Sequence, residues 1–170
     1  LQEQRPEGPA AATIPMVPRE GGLALSLAQE RLYYLYQLAP ESRAYNCASC
    51  FHLRGTLDEQ GLERSLQALV ARHEILRTRF SQRDGRPLQL IDSPPPPPPP
   101  SRTLAVVDLQ ALPEAERPLA ARRQLEKETQ HLFNLEQGPL FRATLWRLGP
   151  GEHFLLLNFH HIIIDGWSIE

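Results

Sequence analysis

The segment that most constrains the fold lies near the end of the chain and has the sequence HFLLLNFHH, residues 153–161. Successive side chains of a β-strand point to opposite faces of the sheet. Here both faces would be apolar, one through Leu155 and Leu157 and the other through Phe154 and Leu156. Because a strand of this kind must be covered on both sides, we expect it to be central in a sheet. The preceding segment, PLFRATLWRL, predicts a second strand joined to it by a tight Gly-Pro-Gly turn.

The first part of the chain predicts two helices with a strand between them. SLAQERLYYLYQL predicts a helix capped by Ser26. Its predicted inner stripe follows the helical repeat and consists of Leu27, Arg31, Tyr34 and Leu38, widened by Leu32, Leu35 and Tyr36. AYNCASCFHLRG predicts a strand that ends at Gly55. Asp58 can cap a second helix, whose inner positions are Leu62, Leu66, Leu69 and Val70.

The middle of the chain predicts a hairpin, a short strand and a third helix. Residues 76–92 form two extended runs around a turn at Asp84 and Gly85. RTLAVVDL predicts a short strand, and residues 113–133 consist of strong helix formers with an inner line at Ala121, Leu125 and Leu132. The order of elements predicts an α/β chain of the α+β type, with a mixed, mostly antiparallel sheet flanked by helices.

Two segments are expected to lie outside the packed elements. Residues 1–22 are rich in Pro, Gly and Ala without periodicity, which predicts a flexible tail or interdomain linker before a fold that begins near Leu23. The prolines from Pro94 to Pro100 cannot pair in a sheet or enter a helix, so we expect an exposed polyproline II segment. A surface-loop expansion and a ligand for an SH3-type or WW-type module are both open explanations of this run.

Composition and charge exclude several classes of function. A hydrophobic fraction of 41% with 22% charged residues is typical of globular proteins, and a net charge of -2 argues against nucleic-acid binding. No apolar run approaches the roughly 20 residues of a membrane span, and the N-terminus lacks the apolar core of a signal peptide. We therefore expect a cytoplasmic protein. Cys47 and Cys50 form a CxxC, but on a strand their thiols point to opposite faces, which favours structural roles over redox or zinc chemistry.

The chemistry-bearing residues follow the last strand. His160 and His161 should face opposite ways, so that one ring packs while the other points beyond the end of the strand and can act as a general base near neutral pH. Asp165 beside Gly166 predicts a turn, and its carboxylate would orient an imidazole or hold a cation such as an arginine. The apolar spacer between His161 and Asp165 and the absence of a following Glu argue against a metal site.

Three motifs carry a resemblance to a known family. HHIIIDGWS (160–168) resembles the HHxxxDG motif of condensation domains of nonribosomal peptide synthetases. SLAQERLYYL (26–35) is similar to the family's motif SxAQxRLWxL, with Tyr33 where Trp is common, and RHEILRTRF (72–80) matches RHExLRTxF. The resemblance covers residues 23–170. It implies a truncated domain, the N-terminal subdomain of a chloramphenicol acetyltransferase-like fold, without its C-terminal half.

The resemblance also implies an activity and partners. Condensation domains form an amide bond between an acyl or peptidyl thioester and an aminoacyl thioester. Both substrates would arrive on phosphopantetheine arms of upstream and downstream peptidyl carrier proteins, so no cofactor is expected to be bound by this domain itself. An adenylation domain would be adjacent. The segments YNCASCFHLRGTLDEQGLERSL and DGWS favour the subtype that joins an L-configured donor to an L-acceptor.

Carried over residue by residue, the resemblance assigns roles near the active site. His161 would be the catalytic histidine, acting as a base or positioning the amine, and His160 would be structural. Asp165 would form a buried pair with an arginine, with Arg77 as the first choice. Gln29 and Arg31 would brace the scaffold at the tunnel entrance.

The turn after the motif would border the substrate channel. Gly166 would line the thioester path, Trp167 would pack or touch the acyl group, and Ser168 would lie beside it. The fragment alone is expected to be inactive. Two alternatives stay open: another acyltransferase of the same fold with an HxxxDG motif, and a noncatalytic remnant that docks a carrier protein.

Overall fold

The computed structural model describes residues 17–19, 21–94 and 103–168. Its strands are β1 (Leu23–Ala24), β2 (Asn46–Arg54), β3 (Thr78–Arg83), β4 (Arg86–Ile91), β5 (Leu104–Asp108), β6 (Phe141–Gly149) and β7 (Glu152–His160). Its helices are α1 (Leu27–Leu38), α2 (Glu59–Arg72) and α3 (Arg117–Thr129), and short 3-10 turns span Glu74–Arg77, Glu114–Glu116, His161–Ile163 and Gly166–Ser168. The predicted mixed fold is confirmed, with β1 as an additional short strand.

The larger sheet carries the end of the chain and has the order β2-β7-β6-β5. β7 pairs antiparallel with both β2 and β6, while β5 runs parallel to β6. Leu155 belongs to the main core, whereas Leu156 packs with Trp146 and Ala121 in a second cluster on the other face of the sheet. The prediction of a central strand that is apolar on both faces is therefore confirmed.

The smaller sheet is a three-stranded antiparallel unit of order β1-β4-β3. The β3–β4 hairpin turns at Asp84 and Gly85, both with positive φ (50° and 77°), as the sequence predicts. Phe80 of β3 is fully buried, and its N–H donates to the carbonyl oxygen of Leu135 at 2.8 Å. This contact holds the small sheet against the segment that precedes β6.

Helix α1 begins where the sequence predicts but buries a different face. Ser26 accepts the N–H of Gln29, and the Gln29 side chain accepts the N–H of Ser26, which completes a capping box. Leu27 and Leu38 of the predicted inner stripe are 86% and 82% exposed, while Tyr33 is buried. The prediction is wrong for these two residues and holds for Leu32 and Tyr36, which widen the stripe and pack against the main core. Because α1 is apolar around most of its circumference, tertiary packing selects the buried face.

Helix α3 is shorter than the predicted range 113–133. A 3-10 turn precedes it, and at its C-terminal end the Asn46 side chain donates to the carbonyl oxygens of Thr129, the last helical residue, and His131, both at 2.8 Å. The helix ends at these bonds, and Leu132 is 43% exposed instead of lying on the inner line. Ala121 is buried as predicted.

Helix α2 matches its prediction more closely. Asp58 caps it by accepting the N–H of Gly61 at 2.8 Å, and Leu66 is buried. Leu62 and Val70 pack against the main core, whereas Leu69 is 46% exposed.

The predicted tail and proline run lie largely outside the described residues. Of residues 1–22, the structure describes 17–19 and 21–22, and Arg19 forms an ion pair with Glu74 at 3.0 Å. Pro95–Pro100 fall outside the description, so the polyproline II prediction stays a prediction. Among the described helices, none has the length and apolar content to span a membrane.

Candidate active site

The two histidines lie where the central strand ends. The His160 N–H donates to the carbonyl oxygen of Leu140 at 3.0 Å, and the His161 N–H donates to that of Tyr45 at 2.8 Å. The chain then enters the 3-10 turn His161–Ile163, where Nδ1 of His160 accepts the N–H of Ile162 at 3.1 Å. The backbone on both sides of His161 is thus fixed by named hydrogen bonds.

His160 is buried in an aromatic cage, which we define as Tyr36, Tyr45 and Phe133. The ring centroids of these residues lie 6.5, 6.4 and 6.3 Å from that of His160. Burial lowers the pKa of His160 to about 4, with a smaller contribution from the neighbouring His161. The ring is therefore neutral at physiological pH, and its unprotonated Nδ1 is available to accept the Ile162 N–H.

His161 is exposed and borders a cavity of about 450 Å³, which we call the histidine cavity. One wall comes from the first two turns of α1 and its cap, and the other from the chain that follows β7. Its lining comprises Ser26, Ala28, Gln29, Leu32, Ile75, His161, Ile162, Ile163, Ile164, Asp165 and Ser168. The predicted placement is confirmed in that one imidazole packs in the interior while the other faces open space.

A second cavity of about 470 Å³, which we call the apolar cavity, adjoins the histidine cavity at Ile163 and Ile164. Its walls are mostly apolar and come from β2, the end of α2 and β7, with Phe51, Leu69, Leu157 and Phe159 among them. It shares Ile75, Ile163, Ile164 and Ser168 with the histidine cavity. The 3-10 turns after β7 thus form a common wall between the two spaces.

The predicted pair between Asp165 and Arg77 is wrong. Asp165 is exposed, and its Oδ1 accepts the backbone N–H of Ser168 at 3.0 Å and the Ser168 hydroxyl at 2.6 Å. The Ser168 side chain, followed by the Ser168 backbone, holds the pKa of Asp165 below its usual range. The carboxylate is satisfied locally by these donors, so it does not need a distant cation.

Arg77 is directed elsewhere by its own turn. Its guanidinium donates to the carbonyl oxygen of Asp92 and lies 3.9 Å from the carboxylate of Glu74. Arg77 therefore joins the 3-10 turn after α2 to the end of β4. Its Nε is buried and lacks a hydrogen-bond partner among the described residues.

The remaining predicted channel residues occupy the last described turn. Trp167 is 86% exposed, so the expectation that it packs against the fold is wrong in this structure. Ser168 borders both cavities, and a Cβ added to Gly166 would meet no atom within 4 Å. Of the predicted brace residues, Gln29 caps α1 and lines the histidine cavity, whereas Arg31 is exposed.

Sequence reasoning missed most of the walls of these cavities. Ala28 and Ile75 are not among the predicted site residues, although they stand within SLAQERLYYL and RHEILRTRF, and Leu32 is predicted only as an inner residue of its helix. His73, the C-cap residue of α2, borders the apolar cavity and is likewise absent from the predicted site residues. Cys47 and Cys50 are free thiols.

Comparisons with known proteins agree with this geometry. A family model described as the condensation domain matches residues 19–170. One linear gramicidin synthase subunit from Brevibacillus parabrevis is 46% identical over 153 residues, which is 90% of this chain and 3% of that protein. The first condensation domain of the CDA synthetase has a TM-score of 0.79 at 28% identity, covering 89% of this chain and 36% of that one. The starter condensation domain of rhizomide synthetase has a TM-score of 0.75 at 30% identity, covering 87% and 34%.

Proposed function

Because the chain belongs to the condensation-domain family of nonribosomal peptide synthetases, we propose that it supplies the His161 side of a centre that forms amide bonds. The observation that carries the proposal is the exposed imidazole of His161 beside the histidine cavity, with its backbone fixed on both sides. The chain spans about a third of the solved condensation domains it matches. A second subdomain would close the cavity from the opposite side.

The proposed reaction joins two thioesters. The amine nitrogen of an aminoacyl thioester attacks the thioester carbonyl carbon of the donor, the new C–N bond forms, and the C–S bond of the tetrahedral intermediate breaks. The departing thiolate ends as a thiol after receiving the proton that the nitrogen gives up. An α-amine has a pKa near 7.7 to 8.0, so a useful fraction is already neutral at pH 7.

His161 would therefore act mainly after the attack. The nitrogen becomes acidic in the tetrahedral intermediate, and a positioned imidazole can accept that proton and deliver it to the departing sulfur. Asp165, held as a carboxylate at the rim of the cavity by Ser168, would favour the transient imidazolium. The main contribution of this chain is thus to place one titratable ring where the two substrates meet.

The partners follow from the substrate chemistry. Both thioesters would be delivered on phosphopantetheine arms of upstream and downstream peptidyl carrier proteins, and an adenylation domain would load the acceptor. The apolar cavity beside the histidine cavity would accommodate part of the acyl chain. The domain would join an L-configured donor to an L-configured acceptor. It would act in the cytoplasm.

The test is amide formation by the intact synthetase with two loaded carrier proteins. His161→Ala should lower the rate about 10²- to 10⁴-fold, the usual contribution of a general acid–base group. His52→Ala is the matched control, because His52 lies on the larger sheet and pairs with Glu152 at the end of β2 opposite to Asn46. We expect the control to retain the wild-type rate.

Three results would contradict the proposal. Equal rates for the His161→Ala and wild-type proteins would remove His161 from the reaction. Carrier-protein binding without amide formation by the wild-type protein would favour the noncatalytic alternative. Acyl transfer to an alcohol or to coenzyme A, in place of an amine, would indicate the other acyltransferase class.

A further inference from the structure

We propose that the aromatic cage of Tyr36, Tyr45 and Phe133 is a positioning device for His161, acting through His160. This inference rests on the proposed function, because it assigns residues to the geometry of the same site. His160 does not reach the histidine cavity, and the cage residues do not line it. Their action on the reaction must therefore pass through the turn that carries His161.

The cage is assembled from three distant parts of the chain. Tyr36 belongs to α1, Tyr45 lies just before β2, and Phe133 lies after α3. The rings of Tyr36 and Phe133 meet the imidazole edge to face, at 89° and 85°. Together they leave His160 only 4% exposed. A leucine at position 160 could fill this space equally well. The imidazole therefore needs a chemical reason.

The reason is the hydrogen bond from Ile162 to Nδ1 of His160. This bond lies at the start of the 3-10 turn His161–Ile163 and fixes the direction in which the chain leaves β7. It exists only while Nδ1 is unprotonated, because a protonated ring would present a donor to the Ile162 N–H, which is itself a donor. The cage keeps water away from the ring and so disfavours the charged form.

The surroundings of the ring support a neutral state from every side. The titratable groups that face it are the phenols of Tyr36 and Tyr45 and the imidazole of His161. None of these is a carboxylate, so no acidic side chain among them would stabilise a proton on His160. The neutral His160 ring therefore keeps the hydrogen bond of the turn at physiological pH.

The experiment opens the cage without removing the acceptor. In the intact synthetase, Tyr36→Gln replaces a half-buried ring with a polar side chain that favours helix. Water then reaches His160, and its pKa should rise toward the ordinary value of about 6.5. Tyr34→Gln is the matched control, since Tyr34 lies on the same helix with half of its surface exposed.

The first measurement is the pH profile of amide formation, expressed as the ratio of variant to wild-type rate. For Tyr36→Gln we expect a constant ratio above about pH 7.5 and a fall of about tenfold per pH unit below about 6.5. The double variant Tyr36→Gln with His160→Asn should show no such fall, because the Asn carbonyl oxygen accepts the Ile162 N–H and does not titrate. Tyr34→Gln should give a constant ratio throughout.

The second measurement is hydrogen exchange of the peptide that contains Ile162, at pH 5 and pH 7, and it does not depend on catalysis. Tyr36→Gln should lose protection there at pH 5 only, and His160→Asn should restore it. Protection of the amides of residues 155–159 from exchange reports whether the fold of the variant is intact. If Tyr36→Gln disrupts the fold, Tyr45→Gln is used in its place. If the wild-type protein makes no amide, the proposed function fails, yet this measurement still tests the cage.

Two outcomes would overturn the inference. One is a Tyr36→Gln rate lowered by the same factor at every pH, which a packing role alone explains. The other is an acid-side fall that persists in the double variant, which would place the responsible proton on another group.

Discussion

At the scale of single residues, burial of His160 couples its protonation to folding. Its pKa is about 4 in the folded protein, against about 6.5 in an unfolded chain. Above about pH 6.5 the ring is neutral in both states and contributes nothing. As the pH falls from about 6.5 toward 4, the unfolded state binds a proton that the folded state excludes, so the free energy of unfolding decreases.

This coupling predicts a measurable difference for His160→Asn. The wild-type protein should lose up to about 1.4 kcal/mol of unfolding free energy per pH unit through this group, and roughly 3 kcal/mol in all by pH 4. The Asn variant should lack that part of the slope. Urea unfolding of both proteins at pH 7, 6 and 5 measures it, and parallel pH dependences would contradict the assigned cause.

At the scale of elements, Arg147 ties three of them together at the end of the sheet opposite to the histidines. Its guanidinium on β6 donates to Glu59 at the start of α2 and to Asp108 at the end of β5, with a distance of 2.6 Å from Nη2 to Glu59 Oε2. The Arg147 hydrogen bond holds the pKa of Glu59 below its usual range. The fixed geometry and partial burial distinguish this cluster from isolated surface pairs.

Glu59→Gln should therefore lower the free energy of unfolding by about 1 to 2 kcal/mol at pH 7. Because the pKa of Glu59 is depressed in the folded state, this stabilisation is present above about pH 4.3 and is lost as the pH falls through the folded value. Glu126→Gln, in an exposed pair with Arg122 within α3, should cost no more than about 0.5 kcal/mol. Equal losses for both variants would show that the cluster on Arg147 adds nothing.

Elements with local signals were predictable, and the faces they bury were less so. The β3–β4 hairpin follows from Asp84 and Gly85 alone, and the start of α1 follows from Ser26 and Gln29. The buried side of α1 depends on what packs against it, and no local pattern separates Leu27 from Tyr33. The prediction that Asp165 pairs with an arginine failed for a similar reason, since nearby donors on Ser168 compete with any distant arginine.

At the scale of the whole molecule, β7 contributes side chains to two hydrophobic cores, one on each face of the larger sheet. Leu156 is 2% exposed between the sheet and α3, so Leu156→Ala should cost about 2 to 5 kcal/mol. Leu27→Ala, on the exposed side of α1, should change the free energy of unfolding by less than about 0.5 kcal/mol. Chemical denaturation of both variants checks the pair, and a large loss for Leu27→Ala would favour the inner stripe predicted from sequence.

Only the part of the candidate site that lies within the continuous motif HHIIIDGWS could be predicted from the sequence. The order of His160, His161 and Asp165 is visible in the sequence, as is the alternation that buries one ring and exposes the other. The cage and the cavity walls come from residues more than a hundred positions earlier in the chain, such as Ser26 and Tyr36, and from Phe133. Contacts over such separations are products of the tertiary fold, which local patterns do not encode.

The cage also bears on how chimeric synthetases can be built. Its rings come from α1, from the loop before β2 and from the loop after α3, and they enclose a residue at the end of β7. A crossover between residues 36 and 160 would take Tyr36 from one parent and His160 from the other. Junctions on the N-terminal side of α1 or on the C-terminal side of Ser168 inherit all four partners together, and these are the places where segments can be exchanged with the turn intact.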